Sequence, residues 1–444
     1  MAIKIAVLNH HKLPLLLHLN KRKKISCKND ILQLIFFLPP LQSSKLLKNH
    51  VIHLAEIANK PSRRIIGLMS GTSLDGLDVA LCNVQGSGTD TILKVEHFAT
   101  VPFTEEFRDS IREIFAKREI DFQQLCVLNP LIGIKHGKMI LECLEKWDIP
   151  AEEIDLIASH GQTVFHAPKK QHNLPQFPNS TLQIGDGDHI AVTTQILTLS
   201  DFRQKHIAAG GEGAPLAVYG DYFLFSEKGE NRILLNMGGI ANFTYLPGSL
   251  NPSDIFTTDT GPGNTLIDAF SREYFGKPYD ENGTIAASGK VNTILLEALK
   301  SLSFFEAPFP KTTGPEVFNI DFVTGTITQN NLEAISKEDV LATLTRFSAD
   351  TISSAIQRVM KPDETYKIYA SGGGAHNPVL MASIREQLPN CQLGLIDELG
   401  VSGDAKEAVL FAVLANETVS GTDINFGERE GVPSVSMGKI SFPA

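Results

Sequence analysis

Cysteine is scarce in this 444-residue chain, and tryptophan occurs once. The five cysteines, Cys27, Cys82, Cys126, Cys143 and Cys391, are odd in number and never form a CxxC pair. That spacing speaks against a disulfide framework or a zinc site and predicts a reducing, cytoplasmic setting. No apolar run reaches the ~18–20 residues that a membrane helix needs, so no membrane partner is expected. The pattern GxxxxGK[ST] is missing, which excludes Walker-A phosphate binding. Acids are almost absent from the first 64 positions, where Asp30 and Glu56 stand against 12 Lys+Arg. Residues 65–444 therefore hold 28 of the 40 basic and 48 of the 50 acidic residues. So acidic a body argues against a nucleic-acid partner, which would need a basic face. Backbone amides and Mg²⁺ can still manage the phosphates of a single nucleotide.

What is present fits a globular protein: 42% hydrophobic and 20% charged residues, on a chain long enough for two domains. The basic leader, residues 1–63, does not read as a targeting device. Its two apolar stretches, Leu13 to Leu19 and Ile31 to Leu38, are split by Lys21-Arg22-Lys23-Lys24, and Pro39-Pro40 ends the second. A signal peptide would place its charges before one apolar stretch and follow it with a small-residue cleavage site. The expectation is a poorly structured extension or a misassigned start, outside the fold.

Organised sequence is expected from Arg64 onward. Residues 65–69 read as a buried strand and 77–84 as a second, with strands also at 91–99, 155–159, 181–185 and 195–199. Helical spacing covers 104–118 and 121–147. A similar set of elements begins again at Ile233. The expected domains are 64–228 as a first lobe and 229–444 as a second, with the last helix, near 404–415, free to return to the first lobe.

Glycine turns carry the candidate chemistry. Ser70 to Gly76 (SGTSLDG) joins the first two strands. Successive amides with the hydroxyls of Thr72 and Ser73 can hold phosphate oxygens, although a plain hairpin turn also favours glycine and aspartate. Asp259 to Asn264 (DTGPGN) and Ser371 to Asn377 (SGGGAHN) each follow an apolar strand. Three such turns, far apart in sequence, are what a two-lobed nucleotide clamp requires. His160 and His166 invite a metal reading, but two histidines six apart without a nearby carboxylate or cysteine make a poor ligand set.

The order of these turns resembles the phosphate-1, phosphate-2 and adenosine motifs of the sugar kinase, actin and heat-shock ATPase superfamily. Within it, GLMSGTSLDGLD, SHGQTVFH, SDFR, GGEGAPL, NMGGIANFTYL, DTGPGN and SGGGAHNP look like the anhydro-N-acetylmuramic acid kinases, over about residues 64–444. The resemblance implies an α/β, two-lobed, actin-like (ribonuclease H-like) fold with nucleotide and sugar in the cleft. It assigns ATP to Gly71, Thr72, Ser73, Leu74, Asp75, Gly76, Leu77, Asp78, Gly261, Gly263, Asn264, Gly372, Gly373 and Gly374. It places the sugar against His160, Gln162, Arg203 and Glu407, makes Asp201 the catalytic base, and implies a homodimer. Two departures stand out. Met69 occupies the place of the superfamily's usual phosphate-1 aspartate, which leaves Asp75 and Asp259 as the Mg²⁺ candidates, with Asp78 beside them. Glu212 stands where glutamine is expected in GGQGAPL.

The activity so implied is ATP-dependent hydrolytic opening and phosphorylation of 1,6-anhydro-N-acetylmuramic acid to N-acetylmuramic acid 6-phosphate, in peptidoglycan recycling. Two other readings compete with it: a kinase of the same superfamily acting on another sugar, and a non-enzymatic nucleotide switch.

Overall fold

Two mixed β-sheets organise the protein, which is described here by a computed structural model covering residues 49–421, 424–427 and 431–444. The first sheet holds β1 (Ser62–Ser70), β2 (Gly76–Gln85), β3 (Ile92–Pro102), β4 (Leu156–Ala167), β5 (Ser180–Ile184), β6 (Thr198–Ser200) and β12 (Lys439–Ser441). Its order is β12-β6-β4-β1-β2-β3, with β5 paired to β4 off this path. The second sheet is β11-β10-β7-β8-β9, built from β7 (Asn231–Met237), β8 (Ile240–Leu246), β9 (Phe256–Pro262), β10 (Tyr366–Ser371) and β11 (Cys391–Leu395).

The two sheets repeat one plan. In each, three antiparallel strands in sequence (β1-β2-β3, β7-β8-β9) are followed by parallel strands added beside the first (β4 and β6; β10 and β11). This duplicated order is the ribonuclease H-like topology that the resemblance implies, and both central strands end at a glycine turn.

β1 is central because Ile65 to Met69 form a continuous apolar run, buried on both faces, as a strand covered on two sides requires. One face carries Ile66 and Leu68 into a core with helix Phe122–Lys146, through Leu128, Ile132 and Ile140. The other face meets helix Lys406–Ser420, whose Ala408, Ala412 and Ala415 allow close approach. A Cβ on Gly67 would lie 1.9 Å from the Ala408 carbonyl oxygen, so only glycine fits at that crossing. The last long helix thus packs on the first sheet. Helix Lys337–Gln357 covers the second sheet with Ala349, Ile352 and Ile356.

Order begins ahead of the expected boundary at residue 64. Residues His50–Ala58 form a helix, Ile57 is fully buried, and Leu54 packs against the same core. Lys60 pairs with Asp155, and Arg63, 3% exposed, donates to Asn416 Oδ1 at 2.7 Å. Apolar spacing in HVIHLAEIA is helical, so the segment was readable had the charge count not set it aside. The expectation for residues 1–48, and Cys27, lie outside the described residues. The other four cysteines are free. No helix among the described residues is long and apolar enough to cross a membrane.

Candidate active site

A cavity of about 770 Å³ opens between the two sheets. The parallel strands β7 and β10 point their C-terminal ends into it, bringing Asn236 beside Ser371. Ligands of open α/β sheets gather at such strand ends. The opposite wall comes from Met69, Arg203, helix Ala217–Phe225 and the first turns of helix Lys406–Ser420.

The second and third glycine turns meet a further one, Met237-Gly238-Gly239 between β7 and β8, at Asn264. The Asn264 amide nitrogen donates to Gly238 O at 2.8 Å, its Nδ2 donates to Met237 O at 3.1 Å, and Gly263 N donates to Gly239 O at 2.8 Å. A Cβ on Gly374 would meet Met237 Cβ at 2.6 Å and Asn264 Oδ1 at 3.2 Å, so this turn presses against both. Gly372 has φ +80°, and a Cβ there would lie 2.7 Å from Asn236 Oδ1. Gly372 and Gly373 face the cavity, while Gly261 and Gly263 are buried behind it.

The first glycine turn is built differently. Thr72, Ser73 and Asp75 are exposed, Leu74 and Leu77 are buried, and Gly76 sits against the Val101 carbonyl, where a Cβ would be 2.5 Å away. Gln162 is wholly buried and holds the turn from within. It accepts from Ser70 Oγ at 2.5 Å and donates to Gly71 O at 3.3 Å and to Thr163 O at 3.2 Å. Its amide is therefore committed to the turn rather than presented to a ligand.

His160 differs from expectation in the same way. Its Nδ1 lies 2.8 Å from Gly161 O, and its Nε2 accepts from Arg203 Nε at 2.8 Å. Burial, then the neighbouring Arg203 cation, pushes its pKa down to about 3, so the ring is neutral. The histidine orients Arg203, whose guanidinium also donates to Gly213 O at 2.7 Å and reaches the cavity wall. His166 is half-buried, and burial likewise lowers its pKa.

Acids cluster along the same wall. Glu407 faces the cavity solvent, yet protein surrounds it closely enough that burial raises its pKa. Arg203 and Lys406 oppose that shift and Asp78 adds to it. Burial also raises Asp78, which accepts from Thr100 Oγ1 at 2.6 Å and feels Asp404 and Asp75. Among the described residues no three His, Cys, Asp or Glu side chains form a metal-sized group.

Neither Asp201 nor Asp259 lines this cavity, although Arg203, two residues beyond Asp201, does. Asp201 takes a left-handed backbone, φ 59°, immediately after β6, and its Oδ2 is 3.2 Å from Lys439 Nζ on β12. Asp259 stands on β9, opposite Asn242 in register and two residues beyond Thr257, both of which line the cavity. Its Oδ2 accepts from Thr313 N at 2.8 Å, and burial raises its pKa against that hydrogen bond.

Sequence reasoning missed a buried pair at the back of the cavity. Asp221, 3% exposed, accepts from Lys406 Nζ at 2.9 Å and from Thr244 Oγ1 at 2.7 Å. The signal was a lone acid in the apolar helix AVYGDYFLF. Asn236 and Asn242, flanking the MGG turn, were missed as well. Glu212 forms an exposed ion pair with Lys170 at 2.8 Å.

The family profile described as anhydro-N-acetylmuramic acid kinase matches residues 63–442. An anhydro-N-acetylmuramic acid kinase of Pseudoalteromonas atlantica is 54% identical over 400 residues, 89% of this chain and 100% of the relative. Those of Pseudoalteromonas translucida and Bacillus cereus are 50% and 38% identical, over 88% and 85% of this chain and 99% of each relative. A solved activator of 2-hydroxyisocaproyl-CoA dehydratase from Clostridium difficile, with bound ADPNP, aligns over 80% of this chain and 95% of its own at 12% identity, with a TM-score of 0.37, too distant to bear on the site. With the family profile spanning both sheets and every glycine turn, the chain belongs to the anhydro-N-acetylmuramic acid kinase family.

Proposed function

We propose that the protein is an ATP-dependent kinase that opens 1,6-anhydro-N-acetylmuramic acid with water and phosphorylates it, giving N-acetylmuramic acid 6-phosphate for cell-wall recycling. The observation that carries this reading is the cleft itself, in which Gly372 and Gly373 form one wall and Arg203 and Glu407 the other, in a chain of this family.

The phosphates lie along the glycine turns at Gly71 and Gly373, whose amides need no side-chain charge to hold anions, with Gly263 supporting them from behind, its own amide on Gly239 O. Mg²⁺ binds chiefly through phosphates, waters and one or two carboxylates, so the absence of a three-acid group among the described residues fits an ion delivered with the nucleotide. Asp75 and Asp78, neighbours on the first turn, are the protein groups placed to meet it. When bound, the ion offsets charge on the transferring phosphoryl group.

Water attacks the anomeric carbon, the bond from C1 to O6 breaks, and O6 attacks the γ-phosphate, releasing ADP. The attacking water must lose its proton to a carboxylate, much as in an inverting glycosidase. Asp201, directly after β6 and partly exposed, is the carboxylate that membership of the family assigns to that role, with its Oδ2 3.2 Å from Lys439 Nζ. Arg203, held by His160, is placed to bind the sugar's carboxylate, and Glu407 beside it to bind hydroxyls.

The test is a coupled ATP-consumption assay with 1,6-anhydro-N-acetylmuramic acid against intact N-acetylmuramic acid. Only the anhydro sugar should turn over. Asp201→Asn should lose about 10³-fold in kcat. Phosphorylation of the intact sugar at equal rate would refute the substrate assignment.

A further inference from the structure

Asp201 stands at the N-cap of helix Phe202–Ala208, where an aspartate ordinarily folds back to accept from the first free amides of the helix. Its left-handed backbone turns the side chain away, and no such bond forms. Both neighbours are buried, Ser200 at 7% and Phe202 at 1% exposure, so the main chain is fixed while the carboxylate stands half-open at the end of β6. Among the described residues one charged group reaches it, Lys439, whose Nζ lies 3.2 Å from Oδ2. No hydrogen bond from the described residues fixes the other oxygen, Oδ1.

The C-terminal strand puts the lysine there. In the antiparallel pairing of β12 with β6, Lys439 is opposite Ser200, the residue before Asp201. Gly438, at φ +105°, lets the strand close on that corner, because a Cβ there would lie 3.3 Å from Ser200 O and 3.4 Å from the Phe202 ring. The strand is anchored on both sides of the lysine. Met437 is 2% exposed, and its carbonyl accepts from Thr418 Oγ1 at 2.6 Å. Ser441 is 8% exposed and packs with Ser200 around Gly187, where a Cβ would meet their hydroxyls at 2.9 and 2.6 Å. The backbone of Lys439 is therefore held, and its stem alone is free to move. An ion pair as open as this one, with the lysine 64% exposed, adds little to stability. Its consequence lies in where the carboxylate points.

We propose that Lys439 is a positioning residue for the reaction: its ammonium holds Oδ2 of Asp201 and so presents Oδ1 to the attacking water. The proposal rests on the reading of Asp201 as the water-activating group. Oδ1 takes one proton from the water as the water oxygen bonds to the anomeric carbon. The electron pair of the C1–O6 bond leaves with O6, which bonds to the γ-phosphorus as ADP departs. Without the cation the folded enzyme still binds both substrates, but the carboxylate spreads over more rotamers and fewer complexes are aligned at any moment. Loss of alignment lowers the rate of the chemical step rather than binding.

The experiment is steady-state kinetics on the full chain with Lys439→Met, which keeps the stem and removes the cation. The expected result is a fall in kcat of about 5- to 20-fold, with KM for ATP and for the sugar within about two-fold of wild type. The Tm should stay within about 2 °C, as for any exposed pair. Lys439→Arg should restore kcat to within about three-fold, because a guanidinium reaches the same oxygen. Asp201→Asn/Lys439→Met should be no slower than Asp201→Asn, since the lysine acts through the carboxylate. A normal kcat in Lys439→Met overturns the proposal, and so does Lys439→Arg as slow as Lys439→Met. If Lys439→Met does not fold, Lys439→Gln decides by the same readings. Wild-type turnover by Asp201→Asn would sink the base assignment and this proposal with it, whereas an inactive Asp201→Asn beside a normal Lys439→Met sinks the role of the lysine alone.

Discussion

Arg203 Nε donates to His160 Nε2 at 2.8 Å, and that contact turns a buried histidine into the support of the cavity's only arginine among the described residues. The ring also packs on Phe411 with centres 4.8 Å apart, so its plane is set from both sides.

His160→Leu keeps much of the packing and removes the acceptor. The guanidinium loses one of two fixed hydrogen bonds and swings toward Glu407. We expect kcat/KM for the sugar to drop about 10- to 100-fold while KM for ATP stays within about two-fold. Because the imidazole is neutral down to about pH 3, the wild-type rate should show no titration from it between pH 5 and 9. Isothermal titration with each substrate separates the two arms.

Much of this site was legible beforehand, for definite reasons. The glycine turns could be found because backbone approach and positive φ demand glycine whatever surrounds them, and Gly372 at φ +80° is such a position. β10 over 366–371 and the helix from 122 to 146 followed from apolar spacing alone. The direction in which a polar side chain points was not legible. His160 and Gln162 lie in a motif that reads as ligand-binding, yet both polar ends of each are taken by protein. The surroundings of Asp201 were not legible for a similar reason. Its left-handed backbone and Lys439, 238 positions away on β12, arise only when the C-terminal strand pairs with β6.

His136 offers a prediction about stability. It is 1% exposed in the middle of helix Phe122–Lys146, stacks near Phe103, and neither ring nitrogen has a hydrogen-bond partner among the described residues. Burial pushes its pKa down to about 4. The unfolded chain therefore takes up a proton near pH 6.5 while the fold refuses one until about pH 4, so stability falls as pH drops through that window. His136→Leu should raise stability at pH 7 by about 1–3 kcal/mol, the cost of the two unmet nitrogens, and should widen its advantage at pH 5. Thermal melts at both pH values check this; an equal or lower Tm for the variant at pH 5 would contradict it.

Lys406 and Asp221 join helix Lys406–Ser420 of the first sheet's core to a carboxylate that Thr244 of β8 also holds. The pair spans the floor of the cavity, so its strength sets how firmly the two sheets are tied there. Removing only the cation leaves Asp221, 3% exposed, as a buried charge held by one hydroxyl. Such half-removals cost about 3–5 kcal/mol, whereas replacing both partners by neutral groups is often nearly neutral. Lys406→Met should therefore lower stability by about that amount, and Lys406→Met/Asp221→Asn should recover most of it. Activity follows a different order, because Lys406 also opposes the raised pKa of Glu407. Both variants lose that cation, so Glu407 should titrate at higher pH in each. The acid limb of kcat/KM for the sugar should move upward in the single and the double variant alike, even where the double has regained its Tm. Urea melts and pH–rate profiles on the same preparations separate the two effects, and a limb that returned with stability would tie it to the fold rather than to Glu407.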